Sequence, residues 1–251
     1  MVNLPPIPGL NGSTPVDPTF YGPRYEYETT TICTIQPPGE PATDTLCAAA
    51  ITSCTNPANG AGPLTRIWRR AVQPTGDVST WQQVGVTCWA DVAPGATPRV
   101  TMAMIINAFR HTPWAKTHLT TQPAGNVTLV GLDTYYQVTW SAAGYQPDEI
   151  DTVDLLGYHV QIRPKLDHFT YIFGDGDTFG PTTYPGGVYP TGTITHQYLT
   201  PGTNHTRVDT TLGADFRINA GPWAPIPDTI TVPGPTTTVT VHTATARLVN
   251  H

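Results

Sequence analysis

Apolar residues recur at every second position along much of this chain, the period of a strand with one face buried. The clearest run is Arg207 to Ile218, where Val208, Leu212, Ala214, Phe216 and Ile218 alternate with Arg207, Asp209, Asp215 and Arg217. Val130, Leu132, Tyr136, Val138 and Trp140 share one parity, as do Tyr158, Val160 and Ile162, and then Phe169, Tyr171 and Phe173. Each set predicts an inward face. Val239 and Val241 give way to Ala244, Ala246 and Leu248, a change of parity that predicts a bulge near His242. Turn clusters at 180–187, 201–204 and 222–227 separate the runs. From residue 116 onward the pattern is that of about seven strands in an antiparallel β-sandwich.

Upstream the pattern is mixed. Arg24 to Gln36 reads as a strand, and Leu64–Val72 and Thr80–Ala90 as a hairpin through Gln73-Pro-Thr-Gly-Asp77, with Ile67, Trp68, Trp81, Val84 and Val86 available to pack. Asp44 to Ser53 is alanine-rich behind Thr43 or Asp44 as N-cap and predicts a short helix. Thr97-Pro98 opens a second helix, in which Met102, Ile105, Ile106 and Phe109 form an i, i+3, i+4, i+7 stripe that ends at Thr112-Pro113. Residues 1–23 are studded with proline, lack an apolar period and predict an extended arm. Donation of a strand by that arm would use the residues between its prolines. The expected organisation is an arm (1–23), a small disulfide-braced α+β domain (24–115) and a β-sandwich (116–251), in a chain that is mainly β.

Composition sharpens this picture. Charged residues are only 12% of the chain, against 27 prolines and 23 glycines, a balance that favours strands and turns over helices. A net charge of −6 without a basic run offers no footprint for nucleic acid. No window approaches the roughly 20 apolar residues of a membrane span, and Met1 to Leu10 lacks the basic start and apolar block of a signal peptide. Cys33, Cys47, Cys54 and Cys88 are spaced too irregularly for a zinc site, and an even number suits two disulfides. A secreted or cell-surface protein is therefore expected, its export signal being absent from this sequence. Spacing alone leaves the pairing open. One continuous helix would hold Cys47 and Cys54 about 10 Å apart, beyond the roughly 7 Å that a disulfide spans. Thr55-Asn-Pro57 lets the helix unwind first, so the expected pairs are Cys47 with Cys54 and Cys33 with Cys88.

Catalytic patterns are sparse. Ser13, Ser53, Ser79 and Ser141 lie in no G-x-S-x-G elbow, the histidines form no H-E-x-x-H, and no phosphate-cradling loop opens a helix. Asp148, Glu149, Asp151 and Asp154 cluster in sequence, and paired carboxylates can hydrolyse glycosides; the plainer expectation is a solvated loop. No catalytic residue is assigned. Trp114, Tyr145, Tyr184, Tyr189 and Trp223 are expected in loops and are candidates to stack on a polysaccharide. Asp175 and Asp177 are candidate calcium ligands, too few for an ion that takes six to eight oxygens, and no other metal or cofactor is expected.

Tyr171-Ile-Phe-Gly-Asp-Gly-Asp-Thr-Phe179, followed by Ile194-Thr-His-Gln-Tyr198, resembles the PKD domain, an immunoglobulin-like module of extracellular and cell-surface proteins. The family signature is an aromatic-Asp-Phe-Gly-Asp-Gly turn and a later His-x-Tyr. Phe173, Gly174, Asp175 and Gly176 match the turn, His196 and Tyr198 the next strand, and Gly202 and Val208 the positions after it. Ile172 stands where the family often has Asp, and the insertion from Phe179 to Tyr189 is longer than usual. The likeness covers about the last 125 residues and is firm from Phe169 to Phe216. Residues 213–223 and the closing Thr-Val repeat also resemble secreted actinobacterial PKD-containing proteins. The resemblance implies a non-catalytic structural or adhesive surface component, whose partners are other surface proteins or copies of itself in an assembly or filament. A carbohydrate-binding module is the alternative, and an accessory to a glycoside hydrolase a third.

Overall fold

A strand with one apolar face is stable only against a second layer, and the alternating runs of this chain find theirs in two places. The computed structural model describes residues 24–40, 45–54, 56, 58, 60–89 and 98–244. The predicted arm, Thr43, Asp44, Thr97, Ala246 and Leu248 lie outside the described residues. The chain is mainly β. It runs through β1 (Arg24–Thr31), α1 (Ala48–Thr52), β2 (Thr65–Val72), β3 (Gln82–Thr87) and α2 (Met102–His111). There follow β4 (Thr117–Gln122), β5 (Val127–Leu129), β6 (Asp133–Trp140), β7 (Asp151–Leu155), β8 (Tyr158–Ile172), β9 (Thr178–Thr182) and β10 (Thr195–Gln197). The last are β11 (Gly202–Ile218), β12 (Ala224–Pro225), β13 (Ile230–Pro233) and β14 (Thr237–His242). Neither helix is long and apolar enough to cross a membrane.

Two long strands form the spine of the described residues after 116. β8 and β11, 15 and 17 residues long, pair antiparallel from Val160↔Ile218 to Ile172↔Arg207. The register shifts where Thr211 faces His168 and Leu212 faces Leu166, leaving Asp167 as the extra residue of a bulge. That bulge joins two parities, Val160 and Ile162 before it and Phe169 and Tyr171 after it, into one strand. Along the free side of β11 lie β14, then β13 and β12; β7 and β9 flank β8, and β5 joins β14 in parallel. A second sheet, ordered β10-β6-β4, faces the lower half of this ribbon.

Each half of the ribbon has its own core. Below the bulge, Leu119, Tyr136 and Val138 of one sheet meet Phe169, Tyr171, Val208, Val239 and Val241 of the other, a sandwich interior. Above it, Val160, Ile162, Leu212, Phe216 and Ile218 are covered by Ile51 of α1 and by Ile105 and Phe109 of α2. The 24–115 segment and the sandwich thus meet in a shared core. Threonine, abundant in the sequence, is also used inside: Thr117 bonds Thr210 between the sheets at 2.8 Å and Thr134 bonds Thr128 at 2.8 Å, so these buried hydroxyls are partnered.

The amino-terminal sheet, ordered β1-β2-β3, is aligned at its base by Thr31↔Thr65↔Thr87. Gln73 N donates to Asp77 O at 2.8 Å and closes the predicted hairpin. Trp68 is buried, its Nε1 donating to Thr30 Oγ1 at 2.8 Å, whereas Val84 and Val86, expected to pack, stay 40% and 54% exposed. α1 begins at Ala48, with Cys47 as N-cap and no side-chain cap bond. α2 begins behind Thr101, whose hydroxyl accepts from Met104 N, so its cap lies four residues later than Thr97.

All four cysteines form disulfides, but the expected pairing is overturned. Cys33 joins Cys47 and Cys54 joins Cys88, with Cα–Cα distances of 5.9 and 5.7 Å. Cys33 follows β1 and Cys88 follows β3, on either side of β2, and two strand spacings amount to about 9.5 Å, too far for a bridge. Cys47 and Cys54 sit at opposite ends of α1, which did not need to unwind because each bonds away from the helix. Leu64 N donates to Ala50 O at 2.8 Å, completing the strap of α1 across the base of the sheet.

Candidate functional site

The signature residues converge at the end of β8. Phe173 N donates to Asp177 O at 3.1 Å, and Asp177 N donates to Asp175 Oδ1 at 3.1 Å, closing the turn. Gly174 has φ +90°, and a Cβ there would lie 2.6 Å from the backbone of His205, so both conformation and space demand glycine. Across the gap, β10 brings His196 against the turn: its ring stacks on Phe173 at 4.1 Å and 3°, and its Nε2 meets Asp175 Oδ2 at 2.6 Å. Tyr198, two positions on, points the same way. Its hydroxyl donates to Phe173 O at 3.0 Å and meets the Tyr136 hydroxyl at 2.6 Å.

The electrostatics follow from this packing. Partial burial works against the Asp175 charge, but the His196 hydrogen bond and the Asp177 amide outweigh it and hold the carboxyl below the ordinary aspartate range. Burial pushes the Tyr198 phenol up to about 12. It pushes Tyr136 higher still, helped by the bond to Tyr198.

Asp175, Asp177 and His196 bring ligand atoms within 4.8 Å of one another. Two ligands on one tetrahedral zinc ion stand about 3.3 Å apart, whereas His196 and Asp175 meet at 2.6 Å, the length of a charge-assisted hydrogen bond. Calcium asks for six to eight oxygens, more than this group supplies. The residues present fit a stapled turn better than either ion.

The candidate glycan-stacking aromatics separate. Trp114 is buried at 7%, set against Phe109 at 5.5 Å and Tyr145 at 6.3 Å, with Nε1 bonded to Phe109 O, so it is a core residue rather than a loop platform. Trp223 lies between the guanidinium groups of Arg163 and Arg217, at 4.5 and 4.6 Å, on the outer side of the β8–β11 ribbon. Tyr184 and Tyr189 alone stand out in water, at 65% and 64% exposure.

The acids clustered in sequence also separate. Asp151 is buried and accepts from Thr112 Oγ1 at 2.8 Å, Glu149 accepts from Gln146 N, and Asp154 bonds His159 on the opposite face of β7. Asp148 takes the turn, with φ 70° and its amide bonded to Pro164 O.

Neither a family model nor a curated protein matches the chain, so the site is read from its geometry. Two neighbouring residues take roles that the sequence did not assign, Tyr136 having been expected only as part of an inward face. Tyr136 completes the hydroxyl chain, and Tyr135 packs edge-on against Tyr189 at 5.7 Å. Parity along β6 was the available signal, since consecutive tyrosines must face opposite ways.

Proposed function

We propose that this protein is a non-catalytic structural or adhesive component of a cell surface, with a PKD-like sandwich as its body and an assembly role for its amino-terminal sheet. The observation that carries the proposal is the β1-β2-β3 sheet. It is braced at its base by two disulfides, and its outer strands each have only one strand partner among the described residues. Open edges are templates for another chain, and β3, Gln82 to Thr87, has no charge or proline to guard it, only a bulge at Val84. Two disulfides are typical of extracellular proteins. The resemblance to PKD modules supports the same reading, as does the consumption of Asp175, His196 and Tyr198 in holding one turn.

Sedimentation velocity across a wide concentration range tests it. Ordered oligomers are expected, weakened by Val86→Lys, which places a charge on the β3 edge strand. A protein that remains monomeric at every concentration contradicts the assembly role. A second reading, a carbohydrate-binding module, is favoured by the exposure of Tyr184 and Tyr189.

A further inference from the structure

The insertion from Phe179 to Tyr189 holds apolar side chains in water, yet it and the residues that follow are firmly anchored. Val138 N donates to Pro185 O at 2.7 Å, Gly187 N to Tyr136 O at 2.9 Å, and Gly192 N to Val188 O at 2.7 Å. The Tyr171 hydroxyl donates to Tyr184 O at 2.9 Å, and Tyr189 N to Gln122 Oε1 at 2.8 Å. At Gly186 a Cβ would fall 1.9 Å from Tyr136 O, so the loop lies flush on β6. Despite this, Val188 and Tyr189 remain 51% and 64% exposed. Held in one place by its loop, the Tyr189 ring is preorganised for a contact.

What lies beside that ring defines the contact. Strand pairing puts Thr120 opposite Gln137 and Gln122 opposite Tyr135, on the outer face of the β10-β6-β4 sheet. Thr139 continues that face, and Tyr189 packs edge-on against Tyr135 at its margin. No Asp, Glu, Lys or Arg occurs from Phe179 to Asn204, and Asp133, at the end of β6, is bonded by Gln197 at 2.8 Å. Asp133 and His118, which stands opposite Thr139, bring one carboxylate and one imidazole to this face, too few to answer a highly charged partner. A neutral sugar ring offers what the face can answer, C–H groups for a tyrosine ring and hydroxyls for amide and hydroxyl side chains.

We infer that the outer face of the β10-β6-β4 sheet, capped by Tyr189, is a binding site for a neutral polysaccharide. The inference deepens the carbohydrate-binding reading and is independent of the assembly role. A rigid ring loses little freedom on contact, so Tyr189 carries the largest share.

Affinity electrophoresis of the full chain tests it, through gels containing a neutral β-glucan, galactan or arabinan, with alginate as the anionic control. Retardation by at least one neutral polymer is expected. Tyr189→Ala should weaken it about tenfold and Tyr189→Phe should keep most of it, with thermal unfolding of both variants unchanged. Binding undiminished in Tyr189→Ala overturns the site while leaving a carbohydrate role elsewhere. Retardation by alginate alone, or by no polymer, overturns both the site and the carbohydrate reading. A Tyr189→Ala change in oligomeric state without any glycan binding marks the face as a protein contact and also overturns the inference.

Discussion

The two halves of the β8–β11 ribbon are closed by different physics. Above the bulge at Asp167 the cover is mostly apolar: Ile51, Ile105, Val100, Ala50 and Phe109 exclude water with no polar atom to satisfy in their side chains, and Trp114 beside them has one N–H, bonded to Phe109 O. Below it the cover is aromatic and hydroxyl-bearing, with Tyr136, Tyr171 and Tyr198 all buried and each hydroxyl bonded. Apolar packing is non-directional and accepts any surface of suitable shape. A buried phenol demands one partner in one place. The lower half therefore fixes a single arrangement of turn and strand, whereas the upper half rests mostly on shape, with Trp114 and Asp151 supplying its few buried directional bonds.

The largest expected effect breaks the upper half. Phe109→Ala removes a side chain with no solvent exposure from the helix cover and should cost about 3–5 kcal/mol in denaturant unfolding. Hydrogen exchange should show α2 and the Val160–Ile162 stretch opening before β6 and the lower end of β8. Simultaneous loss of protection in both halves would show that the bulge does not separate them.

A smaller effect sharpens the lower half. Tyr198→Phe keeps the ring but takes its hydroxyl from Phe173 O and from Tyr136, a loss of about 1–3 kcal/mol in unfolding free energy. The gain from removing one polar group is outweighed because two buried partners are left bare.

The smallest effect depends on pH. The folded Asp175 carboxyl lies below its ordinary range, so it contributes stability above the unfolded aspartate pKa and loses it as pH falls through the folded value. Melting temperatures of wild type and Asp175→Asn should differ at neutral pH and converge in acid. A gap that persists at low pH would show that the carboxylate charge is not what joins β10 to the turn.

This contrast also explains what was legible. The Gly-Asp-Gly turn and His-x-Tyr were visible as a pair through the resemblance to the PKD signature, and Phe173, Asp175, His196 and Tyr198 do meet through directional bonds that need those residue types. The α2 stripe was visible as a period, but its partner was not, since Ile105 and Phe109 carry no mark of the strands they cover. Tyr158–Ile162 and Phe169–Phe173 looked like separate runs because one extra residue, Asp167, inverts parity within a single strand. Trp114 was misplaced because its short segment reads as a loop, whereas Phe109 and Tyr145 enclose it.

By itself the order of residues determined what each segment must do locally: alternate, turn at Gly174, or present a helical stripe at Met102 to Phe109. Those outcomes depend on dihedral preference and on period, both of which act over a few residues. Only the tertiary structure decided that Cys54 bonds Cys88 and not Cys47, that two helices roof the upper ribbon, and that Tyr189 stands beside a sheet face made mostly of amide and hydroxyl side chains. Each of these is a distance between residues far apart in the chain, and such distances exist only once the strands have paired.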